Sequence, residues 1–255
     1  MNPEISVVIP LYNEERCLGA NAAEVKAFLD ARDSSWELIL VNDGSRDRTL
    51  AIAARLARED PRIRLISYGK NRGKGYAVRT GMLEARGRYR VFMDADLAVP
   101  VEYAGTCHDR LIQGAEVVIG SRHLPGACIQ VPEEPLRQAL GGIYRKMILA
   151  GFRLAVTDIT CGLKGFSAEA TVAIFSRSVI ERWGYDAELL FLAQKLGYRV
   201  EEIPVQWFHS FDSAVHVVKD SIRSFAEMIE IYWRYARGRY RLPSMGGMEG
   251  SLPPK

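Results

Sequence analysis

The chain has 255 residues, 48% of them hydrophobic and 25% charged, with 34 Lys and Arg against 31 Asp and Glu. That length suffices for one large α/β domain with a sizeable core. A net charge of +3 excludes a chain that binds nucleic acid or another polyanion over its whole surface, leaving only local patches open. Cys17, Cys107, Cys128 and Cys161 are scattered, with no C-x-x-C pair, which argues against a zinc site or disulfide framework and fits a reducing compartment. The opening MNPEISVVIP lacks a basic segment followed by an apolar one, so no signal peptide is expected. No apolar run reaches the length needed to span a bilayer.

In chain order, Ile5–Pro10 reads as a short apolar strand closed by Pro. Residues 14–31 have helical spacing at Leu18, Ala22, Val25 and Leu29. Trp36–Val41 is a second strand, followed by the turn Asn42-Asp43-Gly44-Ser45 and a helix over Asp47–Glu59. Ile63–Tyr68 is a third strand, Gly75–Ala85 a helix, Arg90–Asp94 a fourth strand and Glu116–Gly120 a fifth. Strands separated by helices of this length imply βαβ units and a mostly parallel sheet covered on both faces. The tail Pro243–Lys255, rich in Pro, Gly, Met and Ser, is expected to be disordered.

The polar residues of the first half sit where the strands end. Pro10, Tyr12, Asn13 and Glu14 follow the first strand, Asp43 the second, Asn71-Arg72-Gly73-Lys74-Gly75 the third, and Asp94 and Asp96 the fourth. In an open α/β sheet that edge is where ligands bind. A ring to stack on, a carboxylate to accept from a base, a lysine near phosphate and a pair of acids are what a nucleotide pocket needs. Asp94-Ala95-Asp96 offers two hard oxygen ligands suited to Mg²⁺ or Mn²⁺, and such a cation can hold a diphosphate. Two solvated acids in a strand-end turn are the plainer alternative. Gly69 to Gly75 is not a Walker A loop: three residues separate Gly69 from Gly73, one too few, and Gly follows Lys74 where Ser or Thr is required. Nor is it a dinucleotide fingerprint, since Val78 stands where Gly or Ala is needed. The Gly73-Lys74-Gly75 turn can still bring N–H groups and a cation to a phosphate at a helix start.

VVIPLYNEE (7–15), LILVNDGSRDRT (38–49), NRGKGYAVRTGMLEARGRY (71–89) and FMDADLAVP (92–100) resemble family 2 glycosyltransferases of the A-type nucleotide-sugar fold. IGSRH (119–123), DITCGLKGFS (158–167) and WGYDAELLFLAQKLGYRVEEIPVQW (183–207) resemble the polyprenyl-phosphate branch of that family. The resemblance implies an α/β domain over residues 1–242, with a nucleotide-sugar half to about residue 120 and an acceptor half from 121 to 242. It implies an inverting, metal-dependent transfer of a hexose from a nucleotide sugar to polyprenyl phosphate at the cytoplasmic face of a membrane. Members that use mannose usually carry Gln two residues after the second motif Asp. Ala98 stands there, which tilts the expectation toward glucose, and toward UDP-glucose rather than GDP-mannose as donor.

Carried over by position, the resemblance implies that Pro10, Tyr12 and Glu14 contact the nucleoside and that Asp43 accepts from the base. Lys74 would lie near the phosphates or ribose. Asp94 would touch ribose and cation, and Asp96 would bridge the cation, Mg²⁺ or Mn²⁺, to the diphosphate. Arg122 would meet the phosphates, where a guanidinium fork can neutralise charge. Asp158, Asp186 and Glu188 are the second-half acids available for catalysis or sugar binding, with caps and salt bridges as the alternative. Asp186 and Glu188, two residues apart, cannot share a helix face. His108, His123, His209 and His216 show no ligand spacing.

Two segments mix apolar and basic residues. One is Pro135–Ala155, with Arg137, Arg145, Lys146 and Arg153. The other is Ser221–Arg241, with Trp233, Arg234, Arg237, Arg239 and Arg241. Such helices can lie in a membrane interface or be core helices with solvated basic ends. Peripheral membrane contact is therefore an expectation. Transfer to a soluble or glycan hydroxyl and non-catalytic binding of nucleotide sugars remain the alternatives.

Overall fold

A computed structural model of the chain describes residues 2–130, 135–208 and 217–240. The tail from Pro243, His209, His216 and Arg241 lie outside the described residues. The elements of the first half are β1 (Ile5–Leu11), α1 (Leu18–Asp30), β2 (Trp36–Asp43), α2 (Thr49–Glu59), β3 (Ile63–Tyr68), α3 (Lys74–Glu84), β4 (Tyr89–Phe92), α4 (Glu102–Ile112) and β5 (Val117–Ser121). The second half adds β6 (Cys128–Ile129), α5 (Pro135–Phe152), β7 (Lys164–Ser167), α6 (Ala168–Phe175), α7 (Tyr185–Lys195), β8 (Val200–Pro204), β9 (Gln206–Trp207) and α8 (Val217–Ala236).

Seven strands form one sheet in the order β3-β2-β1-β4-β7-β5-β8. The expected mostly parallel sheet flanked by helices is what forms. Only β7 runs antiparallel, against β4 and β5. Both halves of the chain contribute to this sheet, because β7 and β8 complete the side that β4 and β5 begin. β6 and β9 make a separate two-stranded ribbon.

Alternation along the buried strands sorts the core into two layers. Val7, Ile9, Leu38 and Leu40 pack with Leu18, Ala22, Val25 and Leu29 of α1, Ala53 of α2 and Cys107 and Leu111 of α4. Val8, Ile39 and Val41 point the other way, to Ala77, Val78 and Met82 of α3, Phe175 of α6, Leu190 of α7 and Ile231 of α8. Thus α1 and α2 cover one face on the way out to β3, and α3 covers the other on the way back to β4, as right-handed crossovers require. Strand order therefore reverses between β1 and β4, and the loops after these two strands flank a crevice.

Most boundaries shift by a residue or two from expectation, and two shifts bear on the site. Helix α1 starts at Leu18 rather than residue 14, because residues 13–15 are drawn into hydrogen bonds with the loop after β2. Asn13 N–H donates to Ser45 Oγ (3.0 Å), Glu14 N–H to Thr49 Oγ1 (2.7 Å) and Glu15 N–H to Asp47 Oδ2 (3.1 Å). Asn13 takes φ 59°, a conformation Asn tolerates. Strand β4 stops at Phe92, leaving Asp94 in the following turn. Helix α4 and the antiparallel β7 were not expected.

Strand β7 is pinned by Phe166, fully buried, stacked on Phe92 at 6.3 Å and edge-on to Phe175 at 5.1 Å. Ser167 then caps α6, its Oγ accepting the Ala170 N–H at 3.1 Å. Phe166→Ala is expected to lower unfolding free energy by about 3–5 kcal/mol, read by urea denaturation. A loss under 1 kcal/mol would show that β7 is held by its ladder alone.

Candidate active site

The carboxyl ends of β1 and β4 put Glu14, Cys17, Asp94 and Asp96 together. Cys17 Sγ donates to Glu14 Oε2 at 3.3 Å, and Asn21 Nδ2 donates to the Ala95 carbonyl at 2.7 Å, tying α1 to the acidic turn. In that turn Ala98 N–H donates to Asp96 Oδ1 at 3.1 Å and Leu97 takes φ 51°. A leucine in the left-handed region is strained, and such strain clusters at functional sites. Burial pushes the Glu14 carboxyl up, helped by Asp96 and Asp94. Burial, with Asp94, does the same to Asp96. Cys17 is pushed up to about 12 by burial and by Glu14, so its thiol stays protonated.

Lys74, the first residue of α3, reaches Asp94: Nζ lies 2.6 Å from Oδ1. The opposite side of this carboxylate leans on Gly162, where a Cβ would stand 2.1 Å from Oδ2. Burial alone would lower the Lys74 ammonium, but Asp94, Asp186 and Asp96 together raise it.

Asp43 is 2% exposed and committed to the loop that leads into α3. It accepts from Arg72 N–H (2.7 Å), Gly73 N–H (2.8 Å) and Asn71 Nδ2 (2.8 Å). A carboxylate has about four acceptor positions, so one at most is left for a base. Gly73 has φ 116°, and a Cβ there would stand 2.5 Å from the Glu181 carbonyl oxygen; only glycine fits. Pro10 is buried within β1 and Tyr12 is half-buried just beyond it.

Helix α7 is buried along most of its length, so its two acids need partners. Asp186 faces the cluster: Lys164, 0% exposed, donates from Nζ to Asp186 Oδ1 at 2.5 Å and to the Cys161 carbonyl at 2.7 Å. Glu188 turns elsewhere. It accepts from the N–H of Val179 and Ile180 (both 2.9 Å to Oε2) and from the Tyr240 hydroxyl (2.8 Å to Oε1). Burial pushes its carboxyl up to about 7.

Asp158, also expected among the catalytic acids, is saturated. Arg122 donates to it from its backbone N–H (3.0 Å), Nε (2.8 Å) and Nη2 (3.0 Å), and Thr160 N–H adds a fourth bond at 3.1 Å. Burial alone would raise this carboxyl, but the guanidinium and N–H groups hold it well below the usual carboxylate range. Asp158 thus orients Arg122 and has no acceptor position left for a substrate proton. Arg122 also donates to Thr160 Oγ1 at 2.8 Å and lies over Trp207 at 5.5 Å.

The structure therefore brings Glu14, Lys74, Asp94, Asp96 and Asp186 into one charge cluster, and gives Asp43, Asp158 and Glu188 hydrogen-bonding work in the loops. Sequence reasoning missed Lys164. Its only signal was a lone charge between Leu163 and Phe166, and a lysine that ends up buried survives only when paired. Gly162 and Cys17 were missed too: Gly162 lies in the block DITCGLKGFS without a side chain to single it out, and Cys17 forms no motif. Among the described residues, no three His, Cys, Asp or Glu side chains form a ready-made metal cluster. Asp94 and Asp96 fit a hard cation as two of its oxygen donors, with a diphosphate supplying others.

The sheet order and the acids at its switch point define the A-type nucleotide-sugar transferase build. Glucosyl-3-phosphoglycerate synthase from Mycobacterium tuberculosis, solved with Mn²⁺, UDP-glucose and phosphoglyceric acid, superposes with a TM-score of 0.70 at 19% identity, over 96% of this chain and 82% of that one. This likeness is one of fold. The family model for glycosyl transferase family 2 matches residues 6–182. A dolichyl-phosphate beta-glucosyltransferase of Trichomonas vaginalis is 35% identical over 236 residues, 88% of this chain and 69% of that protein. The dolichyl-phosphate beta-glucosyltransferases of Saccharomyces cerevisiae and Homo sapiens are 32% and 30% identical, over 93% and 94% of this chain and 76% and 78% of theirs. The chain belongs to glycosyltransferase family 2.

Glu188 gives a prediction with a definite sign. Its folded value, about 7, lies above its ordinary 4.5. The folded state therefore holds the proton longer, and this group's contribution to stability is lost as pH rises from about 4.5 to about 7. Glu188→Gln can still accept the two N–H groups and donate to Tyr240, without the buried charge. It should gain on the order of 2–3 kcal/mol over wild type between pH 5 and pH 8. Urea melts at both pH values measure this, and parallel curves for the two proteins would overturn it.

Proposed function

We propose that this protein is an inverting hexosyltransferase that moves glucose from a nucleoside diphosphate sugar, UDP-glucose before GDP-mannose, to polyprenyl phosphate at the cytoplasmic face of a membrane. The observation that carries the reading is the cluster of Asp94, Asp96, Lys74 and Glu14 at the β1/β4 switch point, in a chain 30–35% identical to dolichyl-phosphate beta-glucosyltransferases. Mannose is the second donor sugar to test.

In this reading Pro10, Tyr12 and Glu14 border the nucleoside, and Asp43 acts chiefly by holding the loop that seats Lys74. Asp94 and Asp96 would hold Mg²⁺ or Mn²⁺, which supplies charge neutralisation at the leaving diphosphate. Lys74, and Arg122 in the role the resemblance implies, would add positive charge on the same oxygens. Asp158 fixes the fork of Arg122, so the guanidinium presents its edge without searching rotamers.

A hydroxyl acceptor needs a general base, whereas a phosphate oxygen is already anionic. Asp158 and Glu188 are fully engaged, and Asp186 is paired with Lys164. The second-half acids are thus all committed to other groups, which favours the phosphate acceptor. Asp186 borders the cluster and would serve to bind sugar hydroxyls.

Membrane contact rests on α5 and α8, which pack on each other through Tyr144 and Phe225 at 5.7 Å. Ile229 is 64% exposed, Tyr232 61% and Trp233 41%. Arg237 and Arg239 lie over the Trp233 ring at 3.7 and 4.8 Å, an amphipathic pair for an anionic interface. Two other basic residues of these helices are engaged within the chain. Arg234 pairs with Glu230 at 2.7 Å, and Arg145 donates to the Thr157 carbonyl at 2.9 Å. No helix of the described residues is long and apolar enough to cross a membrane.

A donor panel of UDP-glucose and GDP-mannose with a short polyprenyl phosphate, analysed for lipid-linked sugar, tests the reading. Asp96→Asn should cut transfer roughly a hundredfold or more with an unchanged melting curve. Faster turnover of a water-soluble sugar alcohol than of the polyprenyl phosphate would replace the acceptor. Arg237→Ser with Arg239→Ser should weaken flotation with anionic vesicles by about 1 kcal/mol for each charge at the surface. The loss should shrink at high salt. If wild type does not float with such vesicles, the membrane contact falls.

A further inference from the structure

The Asp94 carboxylate is gripped from two sides. Lys74 Nζ stands 2.6 Å from Oδ1, and the bare backbone of Gly162 supports Oδ2 so closely that any side chain there would collide with it. The lysine is placed with equal care. It opens α3, its preceding N–H is fixed on Asp43, and Gly73 and Gly75 press against Glu181, Arg182 and Tyr185. Asp186 and Asp96 stand near enough to act on its charge. Asp186 is itself held by Lys164 through one oxygen.

A carboxylate oxygen that carries an ammonium at this distance is poorly placed to carry a divalent cation as well. The two positive charges would face each other across a single oxygen, inside a partly buried site where repulsion is strong. Lys74 and a cation on Asp94 are competitors unless further negative charge arrives.

We propose that Lys74 is a built-in counter-ion that holds the cation's place on Asp94 and yields it only when the donor's diphosphate brings enough negative charge for both. Lys74 then has two anionic destinations, the diphosphate and Asp186, within the sweep of one flexible side chain. The inference rests on the metal reading of Asp94 and Asp96 given above. It adds an order of binding: free cation is held weakly, and cation with nucleoside diphosphate is held tightly.

Electron paramagnetic resonance of Mn²⁺, with and without UDP, tests this on the full chain. Wild type, Lys74→Gln, Lys74→Arg and Asp96→Asn are compared, each checked by circular dichroism. Gln keeps a hydrogen-bond donor to Asp94 while removing the charge, and Lys74→Met is the second neutral variant. The expected result is that the neutral variants bind free Mn²⁺ at least about tenfold more tightly than wild type. Lys74→Arg should stay with wild type, and Asp96→Asn should bind poorly throughout. Equal affinity for free Mn²⁺ in wild type and the neutral variants overturns the counter-ion role and leaves the metal reading standing. So does a wild type that binds Mn²⁺ as tightly alone as with UDP. If wild type fails to bind Mn²⁺ even with UDP, the metal reading fails first and takes this inference with it.

Discussion

A strand covered on both faces can offer polar side chains only at its ends. β1 and β2 are buried at every position, with one helical layer on each side. The whole chemistry of the molecule is thereby pushed to the carboxyl edge of the sheet. The reversal of strand order at β1 and β4 opens that edge where Glu14 and the Asp94–Asp96 turn emerge. The other features depend on this placement: the strained Leu97, the thiol on Glu14, the lysine that opens α3.

The cluster is built with a surplus of acids. Glu14, Asp94, Asp96 and Asp186 converge on Lys74, with Lys164 behind Asp186. Burial raises the carboxyl groups of Glu14, Asp96 and Asp186, so each would gain from additional positive charge. The site is thus preorganised for cations, whether from side chains or from a ligand.

Much of the first half was legible in the sequence because buried parallel strands announce themselves as apolar runs and their helices as spaced apolar residues. The edge residues could be read because they follow those runs directly. Strand β7 was not legible: four residues, with Lys164 first and Gly165 second, show neither run nor alternation. Asp158 and Glu188 were visible as acids, but the four donor groups that saturate the first and the three that engage the second come from chain segments that sequence spacing does not bring together. Arg145 looked like part of a basic helix edge, yet it turns inward to a carbonyl that only the fold supplies. Helix starts failed where side chains of a distant loop captured the first N–H groups, as Ser45 and Thr49 do for Asn13 and Glu14.

The segment from Val179 to Gly184 sits between α8 and the start of α3. It touches Gly73 and Gly75 on one side, leaving no room for a Cβ at either, and its Glu181 carbonyl accepts the Tyr76 N–H there at 3.0 Å. On the other side it is fastened by Tyr240 through Glu188 and by Glu227, whose carboxylate takes the Gly184 N–H at 2.6 Å. The end of the described chain is therefore a buttress for the start of α3 and the charge cluster, although it lies far from both in sequence. A shortened protein cut before Tyr240 would keep every residue of the charge cluster and still lose the strut behind Lys74. For anyone trimming this domain for crystals or fusions, the safe boundary lies beyond residue 240.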